Sequence, residues 1–192
     1  MTKDDLKRTI AEIAYNVGFG AKKHFATFDT VEKAPGWIGF ISLAASVLSL
    51  IFPFLAEKLP SAILIIVGVA SLYISMYRSS EYEAAGKELT QAFNELRSLY
   101  REVAGGGNIE RAQEQLAAIN SRYYQVSISR QILFSDWWAH VKFFGQHQIE
   151  WLDAELKFGF WKDKIPATLK FWSILLIIAA VAASIYFGFF RR

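Results

Sequence analysis

The sequence predicts an all-α integral membrane protein in which a two-span hairpin and a third C-terminal transmembrane helix flank a polar helical region. Three stretches contain no charged residue: 34–56, 59–77 and 171–190. Each is close to the roughly 20 residues that a helix needs to cross a hydrocarbon core of about 30 Å. Hydrophobic residues make up 53% of the 192 residues, which is typical of membrane spans joined to polar helices.

The composition also excludes several classes of chemistry. There is no cysteine, so disulfides, cysteine-ligated zinc, Fe–S clusters and thiol catalysis are ruled out. The net charge of +3 could suggest nucleic acid, but bases and acids alternate along the polar stretches without a dense basic patch. No specific nucleic-acid binding is therefore predicted.

The first half of the chain divides into an N-terminal amphipathic cytoplasmic segment, 1–35, and a transmembrane hairpin, 36–77. Only Glu57, Lys58 and their neighbours separate the first two apolar stretches. Pro60 suits the first turn of the second helix, where its missing N–H leaves no helical bond unmade. The two spans are therefore predicted to be antiparallel.

Basic residues near the spans predict the orientation. Lys22, Lys23 and Lys33 precede the first span. Arg78 and Lys87 follow the second span, and only Lys58 lies at the hairpin tip. The positive-inside rule then places the N-terminus and 78–170 in the cytoplasm. Four lysines before the third span against Arg191 and Arg192 after it favour a C-terminus outside. A membrane-embedded helix that does not cross is the alternative.

The stretch 78–134 is predicted to be a cytoplasmic, coiled-coil-like helical hairpin. Gly105 to Gly107 interrupts the helical pattern, and Asn108 is a suitable N-cap for the next helix. That helix carries apolar residues at alternating spacings of three and four, typical of a coiled-coil seam: Ile109, Ala112, Leu116, Ile119, Tyr123 and Val126. An intramolecular hairpin is favoured, and pairing between subunits is the alternative.

The next stretch, 135–168, is predicted to be an aromatic-rich amphipathic helix that leads to the third span, 169–190. Its eight large aromatic residues alternate with charges. Such a helix could lie in the lipid headgroup layer or pack against the cytoplasmic hairpin, and the residues favour neither.

No active site can be assembled. His24, His140 and His147 lack a convincing third metal ligand, and no set of nucleophile, base and acid is recognisable. We therefore expect no enzyme activity, no metal and no cofactor.

Small polar residues in the spans are more informative. Ser42, Ser46 and Ser49 lie on one helical face, and the other candidates are Gly68, Ser71, Ser75 and Ser184. They could pack helices closely, which the residues alone favour, or line a weakly polar pore built by several copies. Four basic residues are candidates for binding lipid headgroups or, less favoured, an anionic ligand: Lys22, Lys23, His24 and Lys33.

The segment before the hairpin carries a family resemblance. Ala14-Tyr15-Asn16, the run from Gly18 to Asp29 and the run from Lys33 to Gly39, followed by two apolar spans, resemble the SLATT family. The resemblance implies a pore-forming effector of prokaryotic anti-phage systems, here with the additional C-terminal span of some subfamilies. It further implies a homo-oligomer in the inner membrane that arrests growth or kills the cell. The trigger would be an infection signal from a partner protein, for example a nucleotide second messenger.

Two other functions remain open. The protein could be a membrane-anchored scaffold that recruits a cytosolic partner through its helical hairpin. A constitutive channel or transporter is less favoured, since neither an inverted repeat nor an intramembrane ion site is visible.

Overall fold

The computed structural model describes residues 1–146 and 149–190, with side chains up to Ser184, and this part of the chain is helical without a strand. Its helices are α1 (Lys3–Ser49), α2 (Lys58–Ser75), α3 (Ser79–Ala104), α4 (Ile109–Val126), α5 (Ser135–Gln146), α6 (Glu150–Leu156) and α7 (Ala167–Phe190). A 3₁₀ turn, Pro53–Ala56, precedes α2, and a π-helical turn, Phe160–Lys164, precedes α7. The prediction of an all-α protein is confirmed.

Helix α1 is a single helix of 47 residues, which corresponds to a length of about 70 Å. It begins with a capping box: the Thr2 hydroxyl accepts a hydrogen bond from the Asp5 backbone N–H (3.2 Å), and the Asp5 carboxylate accepts one from the Thr2 N–H (3.1 Å). The helix continues through Pro35 to Ser49. The predicted cytoplasmic segment 1–35 and the start of the predicted first span therefore share one helix.

Helix α3 runs antiparallel to the N-terminal part of α1. The Lys3 ammonium donates to the Ala104 carbonyl (2.7 Å), which joins the start of α1 to the end of α3. At the other end, the Phe25 ring lies only 3.1 Å from where a Cβ on Gly86 would be. The two helices approach closely there, and any side chain larger than that of glycine would require the Phe25 ring to shift by a few tenths of an ångström.

Helix α4 folds back along α3 after the glycine turn, where Gly106 has a φ of +93°. The Asn108 side chain accepts a hydrogen bond from the Arg111 N–H (3.0 Å), so its predicted capping role is confirmed. Ala112, Leu116 and Ile119 of the predicted seam are buried in a core shared with α1 and α3. The seam thus packs within the chain.

The aromatic stretch 135–168 is not one amphipathic helix, and that prediction is corrected. It is divided into α5, α6 and the π-helical turn, because Lys157 takes a left-handed conformation (φ 52°) that ends α6 and Gly159 is extended. Helices α5 and α6 pack against α1. Edge-to-face contact between Tyr15 and Phe143, with centroids 5.5 Å apart, is one of the contacts between them.

Among the residues that the structure describes, two helices are long and apolar enough to cross a membrane: α2 over Lys58–Ser75 and α7 over Ala167–Ser184, both entirely unburied. The predicted first span does not meet the same standard within one helix, since α1 ends at Ser49 and the 3₁₀ turn follows. Its side chains are nevertheless apolar and exposed, with Leu43 66% exposed.

Candidate membrane-facing site

The end of α1 and helix α2 contact each other along one face of each helix. Half-buried positions recur three and four residues apart, as expected at a helix–helix contact. They are Ile38, Ser42, Ala45 and Ser49 on α1, and Leu64, Val67, Ser71 and Ile74 on α2. Three of the predicted serines, Ser42, Ser49 and Ser71, therefore lie on half-buried faces of the pair.

The other predicted span residues lie outside this contact. Ser46, Gly68, Ser75 and Ser184 are exposed. A Cβ on Gly68 would meet nothing within 4 Å, and the same holds for Gly36 and Gly39 of α1. The α1–α2 pair thus has small residues on a second surface that no part of the described chain covers.

Four of these serine hydroxyls donate hydrogen bonds to backbone carbonyls of their own helices. Ser46 donates to the Ser42 carbonyl (2.8 Å) and Ser49 to the Ser46 carbonyl (2.7 Å). Ser75 and Ser184 do the same with Leu72 and Ala180 (2.7 and 2.9 Å). Because the donors are satisfied internally, these residues can face either lipid or another helix at low cost.

Two of the predicted basic residues, Lys23 and Lys33, form ion pairs with acids. Lys33 pairs with Asp29 (2.7 Å), which also binds Lys142 of α5, and Lys23 pairs with Asp136 (2.7 Å). Burial raises the pKa of Asp29, but the two ammonium groups outweigh it, so the pKa lies below its usual value. Burial, followed by the charge of Lys142, lowers the pKa of Lys22.

These charges border a cavity of about 530 Å³ between α1 and α5, lined also by Trp37 and Trp138. Asp29, Lys33 and Lys142 together leave one net positive charge beside two indole rings. Such a combination suits an anionic headgroup at a membrane surface, where tryptophan is favoured.

His24 does not belong to this basic group, so its predicted surface role is corrected. Its side chain is only 3% exposed. Nδ1 lies 2.7 Å from the Gly20 carbonyl, and Nε2 accepts a hydrogen bond from the Ile128 N–H (3.0 Å). Burial lowers its pKa, which favours the neutral imidazole. The spacing of Ile10, Ala14, Val17, Ala21 and His24 could have predicted its inward direction.

No group of three or more potential ligands for a metal ion occurs within the described ranges. His140 bonds only to the Asp136 carbonyl of its own helix (2.9 Å), and His147 lies outside the described residues, as do Arg191 and Arg192.

A feature that the sequence did not predict is an apolar groove of about 780 Å³ between α5, the π-helical turn and the start of α7. Phe134, at its edge, has a φ of 67°, which is rare for an aromatic residue. The groove is lined by residues of three separate elements, so no periodic pattern in the sequence predicts it.

Comparison with known families covers nearly the whole chain. The model of a family described as "SMODS and SLOG-associating 2TM effector domain 6" matches residues 1–182. The match extends through most of α7 as well as the α1–α2 region. No curated protein and no solved structure matches the chain significantly. Together with the two apolar helices, the match indicates a membrane effector, and the chain belongs to the SLATT family.

Proposed function

We propose that this protein is a membrane effector that oligomerises and permeabilises the prokaryotic inner membrane on an infection-linked signal. The observation that supports it best is the family match over residues 1–182, because it covers both the cytoplasmic helices and the apolar helices. Growth arrest or cell death would follow from loss of the membrane barrier.

The exposed side chains of the apolar helices support insertion in lipid. Ile65 of α2 is 68% exposed, and Ile174 of α7 is 59% exposed. In water each such side chain would forgo roughly 1.5–3 kcal/mol of burial free energy. In a bilayer the same apolar side chains would contact the apolar hydrocarbon chains of the lipids. We therefore propose that the end of α1 and α2 cross as a hairpin and that α7 crosses separately.

The small residues that the α1–α2 contact leaves uncovered support self-association. In lipid, helices associate by close packing, which small residues permit. Gly36, Gly39 and Ser46 recur on one exposed face of α1, and Gly68 and Ser75 on one exposed face of α2. A second copy of the hairpin is the proposed neighbour, and the same serines would face a pore once several copies assemble.

The proposed topology follows from the charges. The helical core of α1, α3, α4, α5 and α6 would lie in the cytoplasm with the N-terminus, with Lys33 and Lys142 near the bilayer surface. The signal would reach the hairpin through this core, from a partner protein or from a nucleotide made by one.

Induced expression in a bacterial host tests the proposal. We expect growth arrest together with entry of a membrane-impermeant dye. Gly68→Leu should reduce dye entry at least tenfold, because a Cβ at this position meets nothing within 4 Å in the described chain and the added bulk would lie against a neighbouring copy. Normal growth and an intact barrier both on expression and after phage infection of the expressing cells, with the protein inserted in the membrane, would contradict the proposal.

Two substitutions of one serine separate helix packing from pore lining. Ser46→Ala keeps the small volume and removes the hydroxyl, whereas Ser46→Leu adds bulk. Packing predicts that alanine is neutral and leucine disruptive, while a polar lining predicts that both reduce ion flow. If Ser46→Leu leaves leakage and toxicity unchanged, Ser46 neither lines a pore nor lies between copies.

The scaffold function is less well supported. It requires an apolar surface on the cytoplasmic hairpin, and Leu116 and Ile119 of the seam are buried against the chain's own α1 and α3. Retained binding of a cytosolic partner with an unaffected membrane potential would favour it.

A further inference from the structure

The apolar groove beside α7 has walls that are tied together. The Trp137 indole N–H donates to the Thr168 hydroxyl (2.7 Å), which links α5 to the first turn of α7. The Lys170 ammonium donates to the Trp161 carbonyl (2.6 Å), which links the π-helical turn to the same helix. The groove is therefore a fixed part of the fold.

Its lining is apolar with one fixed charge. Phe134, Trp138, Val141 and Phe160 contribute exposed apolar surface, and their exposed fractions are all above half. Within the described chain, Lys164 is the only lysine or arginine that lines it, and no carboxylate does. The neighbouring Asp163 carboxylate accepts a hydrogen bond from the Gly159 N–H (2.9 Å), within the loop. A ligand that complements this lining is apolar over most of its length and negatively charged at one end.

The position of the groove identifies the source of such a ligand. Ile165, Pro166 and Leu169 line it, and α7 begins at Ala167. Since α7 is apolar enough to enter a bilayer here, the groove opens at the level where lipid chains meet their headgroups. The volume of about 780 Å³ is also in the range of small-molecule pockets.

We propose that this groove binds one acyl chain of an anionic phospholipid, with the lipid phosphate on Lys164. The bound lipid fills the space between α5 and α7 and couples the cytoplasmic core to the third apolar helix. This inference rests on the proposed membrane insertion of α7 and not on pore formation.

Mass spectrometry of the intact purified chain, released from detergent after incubation with lipid, tests the proposal. The probes are phosphatidylglycerol and phosphatidylcholine with identical acyl chains. We expect one phosphatidylglycerol to be retained about fivefold more tightly than phosphatidylcholine, because the choline ammonium of phosphatidylcholine cancels the charge of its phosphate, and one lysine near a net anionic headgroup contributes about 1 kcal/mol. Lys164→Gln should remove this preference, whereas Lys162→Gln, an exposed lysine of the same turn that does not line the groove, should keep it.

A groove-filling substitution gives an independent test. Gly145 lines the groove and a Cβ there meets nothing within 4 Å, so Gly145→Leu adds bulk at the groove wall, whereas Gln146→Leu adds the same side chain at a residue that does not line it. Gly145→Leu should lose the tightly held lipid while its melting temperature stays within a few degrees of that of Gln146→Leu. Equal retention of both lipids by the natural chain, or undiminished retention by Gly145→Leu, overturns the proposal. A chain that holds phosphatidylglycerol but causes no leakage contradicts only the pore.

Discussion

The Nε2 atom of His24 accepts a hydrogen bond from the backbone N–H of Ile128 across 3.0 Å, which fastens α1 to the segment between α4 and α5. Since that nitrogen is an acceptor, the proton of the neutral ring is on Nδ1, which donates to the Gly20 carbonyl (2.7 Å). Thr27, one turn further on, donates to the Gln131 side chain of the same segment (2.6 Å).

Acid should loosen this attachment. The pKa of His24 is lowered by burial, so the unfolded chain binds the proton more readily than the folded one. The stabilisation is complete above the unfolded pKa of about 6.5 and is lost as pH falls below it. We expect the melting temperature of the detergent-solubilised protein to fall between pH 7 and pH 5.5.

The matched variant is His24→Gln. It should be less stable at pH 7, and its melting temperature should change much less between pH 7 and pH 5.5. The pKa of Asp29 is also lowered, but its protonation reduces stability only near pH 4 and below. The pH ranges in which His24 and Asp29 act are therefore distinct. An equal slope in both proteins would show that His24 is not the titrating group.

Removing the charge of Asp29 should destabilise the junction of α1 and α5. Asp29 pairs with Lys33 and Lys142, and without it Lys142 faces Lys22 uncompensated. We expect Asp29→Asn to lower the free energy of unfolding by about 1 kcal/mol, since these pairs are partly exposed. Chemical denaturation at low and high salt measures it. Glu32→Gln, an exposed neighbour, should change little, and a similar loss there would point to net charge instead.

A methyl group at Gly18 should disturb the core. Its Cβ would lie 2.7 Å from Cδ2 of Phe93 and 3.0 Å from Cε2 of Phe143, both buried rings. Overpacking costs about 1–3 kcal/mol, and the roughly 1 kcal/mol that alanine gains over glycine in a helix offsets part of it, so we expect Gly18→Ala to destabilise the protein by up to about 2 kcal/mol. Thermal denaturation provides the measurement. Gly145→Ala, in open space on α5, should be neutral or stabilising, and a stabilised Gly18→Ala would refute the close packing.

Glycine at the end of α6 should stabilise the protein. Lys157 is exposed and has a φ of 52°, a conformation in which glycine avoids a steric cost of roughly 1 kcal/mol. Lys157→Gly should therefore raise the melting temperature, while Lys157→Ala, which keeps the Cβ, should not. If the two variants have the same melting temperature, the left-handed conformation of Lys157 carries no strain.

Local patterns predicted those features that depend on neighbouring residues. The spacing of Leu116 and Ile119 predicted a buried seam, and the polar side chain of Asn108 predicted the start of α4. The apolar run 59–77 predicted α2 to within two residues at its C-terminal end, Ser75. In each case the energetic cause lies within one or two helical turns.

Features that depend on distant parts of the chain were missed or misjudged. Because His24 is next to Lys22 and Lys23 in sequence, it is predicted to share their surface position, but it bonds to Ile128, more than 100 residues further along the chain. The aromatic stretch was predicted as one helix because its composition does not reveal the left-handed Lys157. The groove at Lys164 needs three elements that only tertiary packing brings together.

The unbroken helix from Lys3 to Ser49 gives the molecule a mechanical property that separate segments would lack. Its first half is clamped by α3, α5 and α6, and its last turns carry Ser42, Ser46 and Ser49. Because the helix continues through Pro35, a rotation of the clamped half about its axis would also turn the serines. The helical core and the apolar end of α1 are therefore parts of one continuous helix, so a signal received by the core has a direct structural route to the serines.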